Sequence, residues 1–207
     1  MQFSSSECIR FGWDTFKKRP WFFVGVWVLT TLISVIVSGI TQRFGQGVIA
    51  FAGAVLNIAV STFIGMGVTA LYLKAHDSVE SVQFADLWHP KSFWSYLVAS
   101  ILPGIVTVLG FVALIIPGVI LALMFMFTVY LVVDKNLGPV EAMKESARLT
   151  RGHKLNLLVF VFMLIGINFL GLLCLVVGFL VTIPLSGLAM VHAYRTLSAR
   201  TGAPVTV

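Results

Sequence analysis

LVVDKNLGPVEAMKESARLTRGHKLNLL, residues 131–158, sets a densely charged segment between two long runs that carry no formal charge. Pro139 suits the first turn of a helix and Gly152 its end. Between them Glu141, Lys144, Glu145, Arg148 and Arg151 recur at spacings of three and four, while Val140, Met143, Ala147 and Thr150 fall on another face. This pattern predicts an amphipathic helix lying on the cytoplasmic surface of a membrane, apolar side down and charges toward water.

The flanking runs supply the membrane. The chain is 58% hydrophobic and 11% charged, with a mean hydropathy of +1.00. An ordinary soluble domain carries roughly 25% charged residues, so this chain has too few charges to cover a water-facing surface. About 20 apolar residues in a helix cross a hydrocarbon core of roughly 30 Å. Trp21 to Ile40 is one such run and Gly47 to Leu73 another. The uncharged stretches Ser92 to Val133 and Leu155 to Tyr194 are each long enough for two helices. Each has a natural break, at Gly110 through Pro117-Gly118 in the first and Gly171 to Gly178 in the second. The expectation is an all-α integral membrane protein of six transmembrane helices with cytoplasmic amphipathic helices. Lys17, Lys18 and Arg19 precede the first apolar run as in a signal peptide, but the run exceeds a signal core and lacks a small-x-small cleavage site, so it is read as a span.

Counting cations orients the spans. One side receives Arg10, Lys17, Lys18, Arg19, Lys74, Lys91, Lys135, Lys144, Arg148, Arg151, Lys154, Arg195 and Arg200, the other Arg43. By the positive-inside rule both termini and both charged connections are cytoplasmic. The formal charge of +6 then reads as topology plus attraction to anionic lipid heads. Nucleic acid is not an expected partner, because no basic patch interleaves with aromatics on a soluble fold.

The N-terminus repeats the design of the charged segment. Ser4-x-x-Glu7 suits a capping box. Glu7, Arg10, Asp14 and Lys17 make one stripe, and Ile9, Gly12, Trp13 and Phe16 another. Offsets of 134 and 73 residues superpose comparable residues: Glu7, Ile9, Arg10 and Lys17 on Glu141, Met143, Lys144 and Arg151, and Glu7, Phe11, Lys18 and Trp21 on Glu80, Phe84, Lys91 and Trp94. The single membrane domain, 1–207, accordingly divides into three units, 3–73, 80–133 and 139–197, each a surface helix plus a two-span hairpin. The middle unit is the weakest, because Pro90 cuts its helix short.

Ile116-Pro117-Gly118-Val119-Ile120, Val133-Asp134, Gly138-Pro139, Glu141-Ala142, Ser146 and Leu149-Thr150-Arg151-Gly152 resemble the signature of a broad group of bacterial six-span membrane proteins. That group includes the YciC-like inner-membrane proteins and the membrane domain attached to some glycerophosphoryl diester phosphodiesterases. The resemblance is sharpest over 115–158. It implies a membrane module tied to envelope or lipid functions, without identified chemistry of its own, and the chain leaves no room for the soluble phosphodiesterase domain. The residues suggest structural uses for the signature. Pro117 suits the first turn of the fourth span and Gly118 a tight hairpin, Asp134 caps the following turn or pairs with Lys135 or Arg151, and Ser146 and Thr150 hydrogen-bond locally or to a neighbouring span.

No constellation for catalysis stands out. His76, His89, His153 and His192 lack metal-ligand spacing, and Cys8 and Cys174 are expected at different depths. Gly45-x-Gly47 is read as an outer turn, and neither a phosphate loop nor a nucleophile elbow is present. No enzyme, metal or cofactor is expected. The spans carry no ionisable group of the kind that marks ion-coupled transport. They do carry small and hydroxylated stripes: Asn57, Ser61, Gly65 and Thr69 in the second span, and Gly178, Thr182 and Ser186 in the sixth. These suit close helix packing, or else the lining of a polar path or lipid site. Asn168 in the fifth span adds polarity, and Pro103 and Pro184 suggest kinks. The expected function is to bind anionic lipid or organise the membrane, with Lys17, Lys18, Arg19, Arg148, Arg151 and Lys154 as headgroup contacts; a protein partner at the cytoplasmic face stays open. The alternative is a transporter or channel for a neutral or amphiphilic small molecule. A polar cavity at the midplane would mark the transporter, and sideways-open grooves with basic mouths the lipid binder.

Overall fold

The computed structural model describes residues 4–42, 48–88 and 93–200. Arg43, Gly45, Gly47, His89, Pro90, Lys91 and Ser92 lie outside the described residues, and with them the expected outer turn and the proline that shortens the middle surface helix.

Among the described residues every regular element is helical. The order is α1 (Ser5–Lys18), α2 (Pro20–Gln42), α3 (Val48–Asp77), a 3-10 turn (Phe84–Leu87), α4 (Phe93–Ala113), α5 (Ile115–Phe125), α6 (Thr128–Lys135), α7 (Pro139–Leu149), α8 (Lys154–Leu173) and α9 (Leu175–Arg200). Among the described residues five segments are long and apolar enough to cross a membrane: Pro20–Thr41, Phe51–Asp77, Phe93–Ala113, Ile115–Lys135 and Lys154–Leu173. The expected sixth falls on α9, a helix of 26 residues whose last third is polar. Both long uncharged stretches fold back where expected, at Leu114 and at Cys174. Lipid-facing helices keep their apolar side chains outward, so Ile36, Val108, Ile115 and Leu173 are exposed. That is the burial expected when the solvent is hydrocarbon.

The hairpins α2/α3, α4/α5 and α8/α9 pack arm against arm, and the short helices tie them together. α1 lies on α9 and α8, the 3-10 turn on α3, and α7 on α4, α5 and α6. Each of these three short elements thus docks on helices from another part of the chain.

α1 begins at Ser4, whose hydroxyl accepts from the Glu7 N–H, forming the Ser4 half of the expected capping box. Its buried face is Cys8, Gly12, Thr15 and Phe16, whereas Trp13 is exposed. This shifts the apolar stripe read from sequence by about one residue. The cause is Gly12: a Cβ there would meet Leu185 O at 2.8 Å and Ala189 N at 3.1 Å, so α1 rests backbone to backbone on α9.

α7 starts with Pro139 and ends at Leu149 with Thr150 as its cap, and Gly152, three residues beyond, sits at φ +83°, the left-handed region that glycine enters at little cost. Its buried face is Ala142, Met143, Ser146, Leu149 and Thr150, while Val140 is exposed. The face turned inward is therefore centred on Ser146, and it meets protein. Ser146 Oγ donates to Met124 O at 2.7 Å and accepts from Phe127 N at 3.2 Å. These are backbone groups at the break between α5 and α6, so a side chain on α7 satisfies the polar groups the kink exposes. Thr150 bonds locally, to Ser146 O and Ala147 O.

Candidate functional site

Polar side chains concentrate at the end of the bundle formed by the C-termini of α3, α6 and α9 and by α1 and α7. Asp134, at the end of α6, is 7% exposed and Arg195, on α9, is 12% exposed. Arg195 Nη1 lies 3.1 Å from Asp134 Oδ1, its Nη2 lies 3.0 Å from Asp77 Oδ2, and the Tyr194 hydroxyl donates to Asp134 Oδ2 at 2.7 Å. Sequence had offered Lys135 or Arg151 as partners of Asp134. The partner comes instead from 61 residues away, because the polar last turns of α9 pack beside the end of α6. A buried carboxylate needs that guanidinium and phenol, since an unpaired charge there would cost several kcal/mol.

The network continues through Asp77 to histidine. His76 Nδ1 lies 3.2 Å from Asp77 Oδ1, and His76 Nε2 lies 3.1 Å from His192 Nδ1. Phe11 of α1 stacks on His192 with centroids 4.2 Å apart and tilts against His76 at 4.8 Å. Nothing in the local sequence around either histidine signals this pairing, because it depends on how α3 and α9 align.

Beside this network is a polar cavity of about 530 Å³ whose lining includes Phe11, Thr15, Lys18, Arg19, His76, Asp77 and Glu80. The six cations read as headgroup contacts divide here by what they already hold. Arg19 Nη1 donates to Val79 O, Glu80 O and Val82 O at 3.3, 3.3 and 3.0 Å, and its guanidinium sits 4.7 Å from the Phe22 ring centroid. It therefore pins the segment that follows α3. Lys17 pairs with Asp14 at 3.4 Å and lies over Trp13. Arg148 pairs with Glu145 at 3.5 Å. Lys18 and Arg151 are exposed and Lys154 is half-buried. Glu141 sits exposed in the first turn of α7, where the helix dipole favours an acid. Lys74 reaches Asp86 at 2.7 Å, and Asp86 accepts from Gln83 N, so the segment held by Arg19 is tied from both sides.

The polar residues at hydrocarbon depth fasten hairpins. Asn57 Nδ2 donates to Ser38 Oγ at 3.0 Å between α3 and α2, with Ser61 3.5 Å from Asn57 Oδ1. Asn168 Nδ2 donates to Ser186 Oγ at 2.8 Å between α8 and α9. Thr182 lies against Gly171 across the same hairpin, and Gly118 lies against Phe111 beneath the α4/α5 turn. Pro117 occupies the first turn of α5, and Gly138 is the residue from which α7 starts.

Grooves open among the described spans. One of about 590 Å³ is lined by residues of α2, α3, α6, α8 and α9, among them Trp27, Tyr72, Tyr130, Leu164 and Ile165, with Asn168 and Ser186 beside them. A second, of about 480 Å³, is lined by Ile33, Val60, Phe63, Phe84, Leu87 and Trp88 and neighbouring residues. A third, of about 520 Å³, runs along the hydroxyls of Thr30, Thr31, Ser34 and Ser38 on α2. The first two are walled almost wholly by apolar side chains. Among the described residues no group of three or more His, Cys, Asp or Glu side chains is placed to hold a metal ion.

Residues 105–201 match the model of a family described as "Protein of unknown function (DUF975)". The matched stretch covers α5 through α9, including the Asp134–Arg195 pair and the Ser146 clasp. The chain is also 29% identical over 161 residues to "Uncharacterized protein Rv2560" of Mycobacterium tuberculosis, covering 77% of this chain and 49% of that protein. The same figures hold for "Uncharacterized protein Mb2590" of Mycobacterium bovis. The chain thus spans about half the length of the curated relatives it matches. No solved structure matches it. These similarities support an uncharacterised bacterial family.

Proposed function

We propose that this chain is a non-enzymatic protein of the bacterial inner membrane that binds anionic lipid, with six spans and both termini in the cytoplasm. α9 is the sixth span in this reading, and α1 and α7 lie at the cytoplasmic interface while docking on the hairpins beneath them. The three stretches of surface helix plus hairpin are read as repeats. The observation that carries the lipid reading is the pairing of apolar grooves at hydrocarbon depth with a cationic end. Lys18, Arg151 and Lys154 supply cations there that a phosphate can reach, and Lys17, exchanging from Asp14, supplies another. Arg19 is left out of the proposed headgroup contacts because three carbonyls already engage it, whereas Arg148, paired with Glu145 as Lys17 is with Asp14, stays among them.

Native mass spectrometry of the detergent-extracted chain after exposure to phosphatidylglycerol tests this. The expected result is retained phosphatidylglycerol that falls several-fold when Lys17, Lys18, Arg148, Arg151 and Lys154 are changed together to Gln. Equal retention by both proteins would overturn the headgroup assignment. A second reading, passage of a neutral or amphiphilic molecule, is favoured by the Asn168–Ser186 pair at the wall of the 590 Å³ groove. It predicts solute flux into protein-containing vesicles that Asn168→Leu abolishes.

A further inference from the structure

Each of the four tyrosines lies in a helix of the bundle, and two of them are satisfied by the protein. The Tyr194 hydroxyl donates to Asp134, and the Tyr96 hydroxyl lies 3.4 Å from Thr69 Oγ1. Tyr72 and Tyr130 have no hydrogen-bond partner for their hydroxyls among the described residues. Both line the same cavity, the 590 Å³ groove between α2, α3, α6, α8 and α9. A phenol in an apolar surround without a partner is costly, so whatever fills this groove is selected to carry a hydrogen-bond acceptor.

The rings that carry these hydroxyls are fixed. Tyr72 is buried against the backbone of α9 at Gly187, where a Cβ would strike its ring. Tyr130 stacks on Tyr194 with centroids 5.8 Å apart, and Tyr194 is itself held by Asp134. Among the other polar groups at the groove, Thr30 donates to Val26 O and Trp27 O, Asn168 to Leu164 O and to Ser186, and Ser186 to Thr182 O, and the indole of Trp27 also lies in the wall. The remaining wall is apolar, with Val26, Val68, Val161, Leu164, Ile183 and Met190.

Depth narrows the ligand. Tyr72 lies five residues before Asp77 and Tyr130 four before Asp134, which places both about 6–8 Å along their helices from the charged end. In a core of roughly 30 Å this is the shallow, interfacial edge of the hydrocarbon, where the ester groups of a glycerolipid sit. Asn168 and Ser186 bound the deeper part of the groove. Its volume falls within the range of about 300–1,000 Å³ typical of ligand sites.

We propose that this groove binds one acyl chain of an ester-linked glycerolipid, with Tyr72 and Tyr130 donating to its ester carbonyl. The proposal rests on the lipid-binding reading and adds that the site reads the ester linkage beneath whatever headgroup the cations hold. Ether lipids, which lack the carbonyl, lose both hydrogen bonds at unchanged hydrophobicity.

The test is a competition in nanodiscs containing equal amounts of diacyl and dialkyl-ether phosphatidylcholine, followed by native mass spectrometry of lipid retained on the extracted protein. The wild-type chain is expected to retain the diacyl form in preference, by about fivefold for each hydrogen bond made. Tyr72→Phe and Tyr130→Phe each keep the ring and should each lower the preference about fivefold, and the double variant should remove it. Equal retention of the two lipids by the wild-type chain, or a preference that survives the double variant, overturns the assignment. The wild-type comparison needs no variant to fold. Phosphatidylglycerol retention measured in parallel separates the two ideas. If it persists while ester preference is absent, the groove assignment alone is wrong, and if both are absent, lipid binding itself is wrong.

Discussion

α1 and α7 are alike in sequence and held in different ways. Both are short helices with a buried side that precede a long apolar helix, yet α1 is seated by shape and α7 by hydrogen bonds. At the centre of the α1 contact there is no side chain at all, only Gly12 against the backbone at Leu185 and Ala189. Its neighbours add little polar hold: Ser5 Oγ donates to Asn156 O at 3.2 Å. At the centre of the α7 contact is Ser146, buried and bonded to two backbone groups of the α5/α6 kink. An amphipathic pattern therefore specifies that a helix has an inner face. It leaves open whether that face meets lipid or protein and which chemistry holds it.

The two seats are joined through Arg195, since α9 carries α1 and the α5/α6 break is clasped by α7. The largest effect should come from separating them. Arg195→Leu leaves the Asp134 carboxylate buried without its cation and should destabilise the protein by roughly 3–5 kcal/mol in thermal or denaturant unfolding in detergent. Adding Asp134→Leu should recover part of the loss, because the unpaired charge goes with it. A single variant as stable as wild type would show that the two halves are not coupled through this pair.

Next in size is the α1 seat. Gly12→Leu drives a side chain into the α9 backbone, which has no rotamer with which to yield, and should cost about 3 kcal/mol or release α1. Release would be read as faster proteolysis near residue 12 with the spans intact. Ser146→Ala should cost about 2 kcal/mol by leaving Phe127 N–H unsatisfied, while Ser146→Thr, which keeps the oxygen, should cost less. If Gly12→Leu were silent and Ser146→Ala severe, shape would have been the wrong account of α1.

The smallest effect on stability concerns the cysteines and serves to orient the bundle. Burial, with a smaller contribution from the Glu7 charge, pushes the Cys8 thiol up to about 11, so little of it is thiolate at pH 8. Cys174, at the α8/α9 turn, is exposed. A membrane-impermeant maleimide added outside spheroplasts should label Cys174 and leave Cys8 unmodified until the protein is denatured. Labelling of Cys174 only from the cytoplasmic side would invert the proposed topology.

Much of the architecture was legible in the residues. The length and apolarity of the runs gave the hairpins and their breaks near Leu114 and Cys174, because a bilayer leaves few ways to arrange uncharged helices. Pro139 opens α7 as read, while the helix ends at Leu149, three residues before the expected Gly152, whose positive φ turns the chain into α8. Asn57, Thr182 and Ser186 meet Ser38, Gly171 and Asn168 across their hairpins, whereas Ser61 is exposed and reaches only Asn57 on its own helix.

What the chain determined by itself was thus everything that depends on short-range stereochemistry and on the partition of side chains between water and hydrocarbon. Only the tertiary structure decided which residues face one another across helices far apart in sequence. It took Asp134 from its expected near neighbours and gave it Arg195, turned Ser146 rather than Val140 inward, spent Arg19 on three carbonyls, and set Tyr72 beside Tyr130 in one groove. The physical reason is that charge and polarity say a group needs a partner, whereas helix register and crossing decide which partner comes within 3 Å.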